Sequence, residues 1–168
     1  MDKIFKEFIG QYIDAINNDI DLDLLSKSAD LIKKTKNKGG KIILAGNGGS
    51  AAMASHVAVD FTKNASIKAI NFNEADLITC FANDYGYENW VEQALKFYAE
   101  ENDLVVLISS SGNSMNMVNA ANYCKKVNMD VITLTGFSKN NKLKTKVIKI
   151  AMILSLINEK FGIPVFLF

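Results

Sequence analysis

The sequence contains no arginine; all 19 of its basic residues are lysine. Any phosphate it holds therefore cannot be clamped by a bidentate guanidinium, and backbone N–H groups, hydroxyls or lysine must do that work. The 18 acidic residues leave a net charge of only +1, without the dense cationic cluster that binds DNA or RNA through phosphates. Cysteine is scarce. Cys80 and Cys124 lie far apart with no C-x-x-C partner, which excludes a zinc ribbon and a disulfide framework and leaves reduced, buried thiols as the expectation. With 10 glycines and 1 proline, collagen-like and disordered classes are excluded as well. The longest apolar run, Val147 to Ile157, is interrupted by Lys149 and falls short of the roughly 20 residues a bilayer span needs; it reads as a core segment. Met1 is followed by Asp2, Lys3 and Glu7, with no basic segment, apolar core and small-residue cleavage site, so a cytoplasmic protein is expected.

What is present suits one α/β domain over residues 1–168, with 49% hydrophobic residues. Ile4, Phe5, Phe8, Ile9, Tyr12, Ile13 and Ile16 recur at helical spacing opposite Lys3, Lys6, Glu7 and Asp14, which predicts an amphipathic helix over 2–17. Its apolar stripe is wide enough to pack against another chain as well as its own. A second helix runs from Leu22 to about Asn37 and ends at Gly39-Gly40. Strands are expected at 41–45, 68–72, 104–108 and 130–134, with helices through Asp60, over 73–82 and from Ser114 to about Val127. This alternation predicts right-handed βαβ units, and hence a three-layer α/β/α sandwich around a central parallel sheet. The N-terminal helices (1–37) precede a βα core (41–145) and a short tail (146–168).

Two polar loops, Gly46-Asn47-Gly48-Gly49-Ser50 and Ser109-Ser110-Ser111-Gly112-Asn113-Ser114, fall where strands end and helices begin. Ligands of open α/β sheets bind beyond the carboxyl ends of strands. A helix N-terminus holds an anion with unpaired N–H groups and a positive dipole end, without a cationic side chain. The serines add hydroxyl donors, and the glycines allow close backbone approach. Taken singly, each loop could equally be a good turn with a serine cap. Neither the G-x-G-x-x-G fingerprint nor a Walker lysine is present, which disfavours a nucleotide.

Three segments carry a resemblance: Gly46 to His56 (GNGGSAAMASH), Ala82 to Gly86 (ANDYG), and Ile108 to Ser114 (ISSSGNS) followed by Val131 to Gly136 (VITLTG). In that order they resemble the sugar isomerase (SIS) domain, and more closely the phosphoheptose isomerases, which interconvert sedoheptulose 7-phosphate and a heptose 7-phosphate. The resemblance runs from the first helix to about residue 145. It implies that Ser109, Ser111 and Ser114, with Ser110 and Asn113 in the same loop, hold the phosphate. It implies that Asn47, Gly48, Gly49, Ser50, Asn83 and Asp84 contact the sugar. It also implies a homotetramer built on the N-terminal helices, with sites completed by neighbouring subunits.

Aldose–ketose isomerisation passes a proton between adjacent carbons through an enediol, and carboxylate plus imidazole is a natural pair for it. His56 and Asp60 are four apart on a predicted helix and share a face. By resemblance His56 matches a histidine of the family, while Asp60 stands where the family has a catalytic glutamate, one methylene longer. Read without the resemblance, the two are a surface hydrogen-bonded pair. The family also carries a further strand and a C-terminal helix with a second histidine, which 146–168 does not match; His56 is the only histidine here. Zinc is implied near His56 and Asp60 in some members, but two ligands fall short of the three or four zinc requires, so no metal or other cofactor is required. The reading is an isomerase acting on a sugar phosphate. The alternative is a non-catalytic SIS protein that binds a sugar phosphate or a protein partner.

Overall fold

The computed structural model describes residues 2–18, 21–136, 140–145 and 148–151. Its elements are α1 (Asp2–Asn18), α2 (Leu22–Asn37), β1 (Ile42–Gly46), α3 (Gly49–Lys63), β2 (Ala69–Asn71), α4 (Ala75–Tyr85), α5 (Trp90–Tyr98), β3 (Leu104–Ser109), α6 (Met115–Lys126), β4 (Asp130–Thr135), a 3₁₀ turn (Lys142–Thr145) and β5 (Ile148–Ala151). Among the described residues no helix is long and apolar enough to cross a membrane.

All strand pairs are parallel, in the order β2-β1-β3-β4-β5. Parallel strands are covered on both faces, so each residue parity serves its own core. Ile42, Leu44, Leu104, Val106, Ile108 and Ile132 face Leu31 and Ile32 of α2 and Ala54 and Ala58 of α3. The small Ala54 and Ala58, one turn apart, let α3 lie close to the sheet. Ile43, Ala45, Val105, Leu107 and Val131 face the opposite layer, built from Leu77 and Ile78 of α4, Trp90, Val91, Ala94 and Leu95 of α5, and Met117, Ala120, Ala121 and Cys124 of α6. The three-layer α/β/α sandwich predicted from the alternation is therefore present.

Three details differ from expectation. α5 lies in a stretch to which the alternation of strands and helices assigns no element; its nine residues are too few for a clear period until Trp90 and Leu95 find the core. β5 is a strand where the chain was expected to depart from the family, because Ile148, Lys149 and Ile150 suit an extended segment and β4 offers a free edge. The rest of the Val147–Ile157 run lies outside the described residues. Of the thiols expected to be buried, only Cys124 is, and burial pushes it up to about 12. Cys80 is exposed, turned off the stripe of α4 whose Leu77, Ile78 and Phe81 pack on the core. On α1, the apolar residues Ile4, Phe5, Ile9, Tyr12 and Ile13 all remain exposed.

At the amino ends of β1 and β3 a buried carboxylate fixes the pairing. Asp103 accepts from the Lys41 backbone N–H at 2.8 Å and from the Glu100 N–H at 2.8 Å, and pairs with Lys41 Nζ at 2.7 Å. Glu100 adds a second contact to the ammonium at 2.8 Å. Removing Asp103 would strand the Lys41 and Glu100 N–H groups and leave the ammonium to Glu100 alone, so Asp103→Ala is expected to lower stability by about 3 kcal/mol in urea titration. Burial works against the Lys41 ammonium, but hydrogen bonds and attraction to Asp103 and Glu100 outweigh it and raise its pKa above the usual 10.5. A raised pKa contributes stability that is complete below pH 10.5 and is lost as pH climbs through the folded-state value. The urea-midpoint gap between the wild type and Lys41→Met should therefore narrow only in that alkaline range.

Candidate functional site

The strand order places β1 beside β3, and the chain leaves these neighbours toward opposite layers: β1 leads into α3 on the α2 side, β3 into α6 on the other. This is the topological switch point of the sheet, where diverging loops open a crevice. Both predicted loops lie there, since Gly46 is in register with Ile108.

The first loop turns sharply. Ser50 N–H donates to Asn47 C=O at 3.0 Å, and Gly48 has φ 54° and ψ −122°, a conformation that suits the first central position of a type II′ turn and effectively requires glycine. Gly46 is needed for space, because a Cβ there would stand 2.5 Å from the Ser50 backbone. β2 ends at Asn71, and the side chain of Asn73 then takes over as partner for β1. Its Nδ2 donates to Gly46 C=O at 2.8 Å, and its Oδ1 accepts from Gly46 N–H at 3.1 Å.

The second loop is braced from beneath. Gly112 N–H donates to Ser109 C=O at 3.0 Å, Gly136 N–H to Ser110 C=O at 2.9 Å, and Leu143 N–H to Gly112 C=O at 3.1 Å. The Asn113 side chain is occupied at both ends, donating to Ser111 C=O and accepting from Lys142 N–H. The buried Ser109 hydroxyl donates to Ser114 Oγ at 3.3 Å, while Ser111 Oγ accepts from Asn113 N–H. No side chain caps either helix: Gly48 precedes α3, and the Ser114 hydroxyl does not cap α6. The residue before each helix thus supplies no capping oxygen from its side chain, and of the first-turn N–H groups of α6 only that of Met117 is taken, by Ser114 C=O and Asn116 Oδ1, an arrangement that suits an anion. A cation also reaches this rim, with Lys142 Nζ 3.6 Å from Met115 Sδ at the first residue of α6.

Across the crevice the loops are tied by paired carboxamides. Asn47 Nδ2 donates to Asn116 Oδ1 at 3.0 Å, and Asn116 Nδ2 donates back to Asn47 Oδ1 at 2.8 Å. The Tyr87 hydroxyl adds a donor to Asn47 Oδ1 at 3.1 Å, and Asn119 of α6 fastens the same α4–α5 connection through Glu88 C=O and Asn89 Oδ1. Asn83 and Asp84 sit at the exposed end of α4, bonded to one another at 3.0 Å, with the Cys80 thiol 3.9 Å from Asp84. No described hydrogen bond links either of them to the two loops.

His56 and Asp60 do share a face of α3, with Nε2 and Oδ2 3.5 Å apart, and both are solvent-facing. Asn64 donates to the other Asp60 oxygen at 3.1 Å. At 1.5 Å per residue, Asp60 stands about 16 Å along α3 from its first residue and His56 about 10 Å, so the pair lies beyond the N–H groups that open the helix. Among the described residues there is no group of three or more His, Cys, Asp or Glu able to hold a metal. His56 and Asp60 offer two donors where a catalytic zinc takes three protein ligands, so by themselves they do not fit one.

The SIS domain model matches residues 5–136, a span that includes both crevice loops. The chain belongs to the SIS domain family. A phosphoheptose isomerase of Thermodesulfovibrio yellowstonii is 37% identical over 132 residues, covering 75% of this chain and 65% of the relative. That of Cytophaga hutchinsonii is 38% identical over 117 residues, 67% of this chain and 61% of the relative. The chain thus spans somewhat under two thirds of the length of these curated relatives. The structure of a phosphoheptose isomerase from Neisseria gonorrhoeae superposes with a TM-score of 0.77 at 25% identity, over 90% of this chain and 87% of that one.

Within this SIS domain, Asn73, Tyr87, Asn116 and Asn119 are site-organising residues that the sequence did not reveal. Each lies away from the two loops and acquires its meaning only across 27 to 69 residues of chain. Only Asn116, two positions after Ser114, and Tyr87, directly after Gly86, lay close enough to a motif to draw attention.

The brace beneath the serine loop is testable at Gly112. Its φ is 63°, and an added Cβ would meet the Asn141 carboxamide at 2.3 Å. Gly112→Ala is expected to cost about 2 kcal/mol in urea titration and to weaken inorganic phosphate binding in calorimetry.

Proposed function

We propose that the chain binds a sugar phosphate at the β1–β3 crevice and isomerises it between ketose and aldose in the manner of a phosphoheptose isomerase, interconverting sedoheptulose 7-phosphate and a heptose 7-phosphate. The observation that carries this reading is the pair of uncapped helix N-termini opening from adjacent strands, one lined by serine hydroxyls, in a protein without arginine. The names of its relatives agree with it. The phosphate lies on the Ser109, Ser110, Ser111 and Ser114 loop and the first turn of α6, with Lys142 supplying charge at the rim. The Asn47–Ser50 loop and Asp84 serve the sugar hydroxyls. Asp60 is the base that moves the proton between carbons, with His56 beside it for the oxygens.

Since Asp60 lies about 16 Å along α3 from the turn that opens it and faces solvent, this reading includes a neighbouring subunit that completes the site around it. The exposed apolar stripe of α1 is the surface for that assembly, a homotetramer. A setting where an exposed Cys80 stays reduced, the cytoplasm, suits the same reading.

The deciding measurement is proton NMR with sedoheptulose 7-phosphate in heavy water. Deuterium should enter at the carbon next to the carbonyl. Binding without exchange would favour the non-catalytic alternative, and no binding would end the isomerase reading and leave only the protein-partner form of that alternative. Asp60→Asn should slow exchange by about 10² to 10⁴, whereas Asp60→Glu should quicken it. Replacing Ser109 and Ser111 by Ala should weaken sugar-phosphate affinity by roughly 1–3 kcal/mol in calorimetry. Light scattering should give a tetramer, which Ile9→Glu with Ile13→Glu should dissociate.

A further inference from the structure

The Asn47–Asn116 pair has a definite polarity, and a backbone group sets it. Asn116 Oδ1 accepts from the Met117 N–H at 3.1 Å. A backbone N–H can only donate, so this end of the Asn116 carboxamide must be the oxygen. Its other end, Nδ2, is then a donor and takes Asn47 Oδ1 as acceptor at 2.8 Å, while Asn47 Nδ2 donates to Asn116 Oδ1 at 3.0 Å. The Tyr87 hydroxyl supplies a second hydrogen bond to Asn47 Oδ1. That oxygen has two lone pairs and both are engaged, whereas Asn47 Nδ2 has two hydrogens and spends one on Asn116. Asn116 is only 2% exposed, so rotating its amide would leave buried polar groups opposed, an arrangement folded proteins avoid.

We propose that Asn116 is a positioning residue: through the reciprocal amide pair it holds Asn47 with an N–H, and not a carbonyl, directed at the bound sugar. Asn47 thus recognises a ligand oxygen as a hydrogen-bond donor, and the group it meets is an acceptor, such as a carbonyl or enediol oxygen. Because Asn116 lies in the first turn of α6, the helix that opens from the phosphate loop, its bond to Asn47 also aligns the sugar-facing loop with the phosphate-facing one. The assignment of a sugar to Asn47 rests on the function proposed above; the fixed polarity of its carboxamide does not.

The test has a ligand-free and a ligand-bound arm. In ¹⁵N-labelled wild-type protein, the two side-chain N–H signals of Asn47 should be well separated, and they should move toward those of a free carboxamide in Asn116→Leu, which fills much the same volume and removes both donor and acceptor, and in Asn116→Ala. A freely rotating Asn47 amide in the wild type, or signals unchanged in both variants, would overturn the proposal whether or not a variant folds poorly. In calorimetry, Asn116→Ala should weaken sedoheptulose 7-phosphate binding about tenfold, as the loss of one oriented hydrogen bond predicts, while inorganic phosphate affinity changes little. Asn47→Ala should cause the same loss, and the double variant no more than either single one. Additive losses, or an equal loss of inorganic phosphate affinity, would mark Asn116 as merely structural and overturn the proposal. If the wild type binds inorganic phosphate but not the sugar phosphate, the proposed function fails and the Asn47 signals alone decide the role of Asn116.

Discussion

The parallel pairing of β1 with β3 is the constraint on which the rest of this protein depends. Two neighbouring strands end level with one another, and their following helices must lie on opposite faces of the sheet because each face needs its own cover. The crevice between the departing loops is a consequence of that geometry and would exist with many different loop sequences. The Asp103 cluster holds the amino ends of the same two strands, so the opposite ends, some 20 Å of strand away at most, inherit a fixed register. Within this frame the glycine turn and the serine loop face one another without any contact of their own having to bring them together.

The absence of arginine shapes how such a crevice handles an anion. Where a guanidinium would carry charge and geometry in one group, the proposed site would divide the task among many weaker ones: uncapped N–H groups, hydroxyls and a lysine at the rim. Weak donors are useful only if they are held still, and the structure accordingly spends several asparagines on holding them. Asn73 continues the β1 ladder past the end of β2, Asn113 ties the serine loop to the segment below, Asn119 fastens the α4–α5 connection, and Asn116 meets Asn47 across the gap. A carboxamide suits this work because it donates and accepts at once and carries no charge that would need compensation on burial.

The placement of His56 and Asp60 shows how far one chain goes on its own. Their spacing guarantees that they meet on α3, and they do. Nothing in that spacing says where α3 points its outer face, and in the isolated chain that face meets solvent. The exposed stripe of α1 presents the same situation on a larger scale. Both are faces that the proposed homotetramer would cover.

Periodicity by itself determined the helices over 2–17 and 22–37, the buried strands of the sheet centre and the two loops that follow them, because an apolar period of two or 3.6 and a glycine turn are properties of neighbouring residues. It could not determine α5, whose nine residues become a helix by packing Trp90 and Leu95 on the sheet, nor the exposure of Cys80, which depends on the side of α4 that meets the core. Only the tertiary structure decided that β1 and β3 are neighbours with their helices on opposite faces, and only it brought Asn47, Tyr87 and Asn116 into one network. Strand order and cross-chain hydrogen bonds arise from the packing of segments tens of residues apart, and no local pattern encodes which distant amide a side chain will meet.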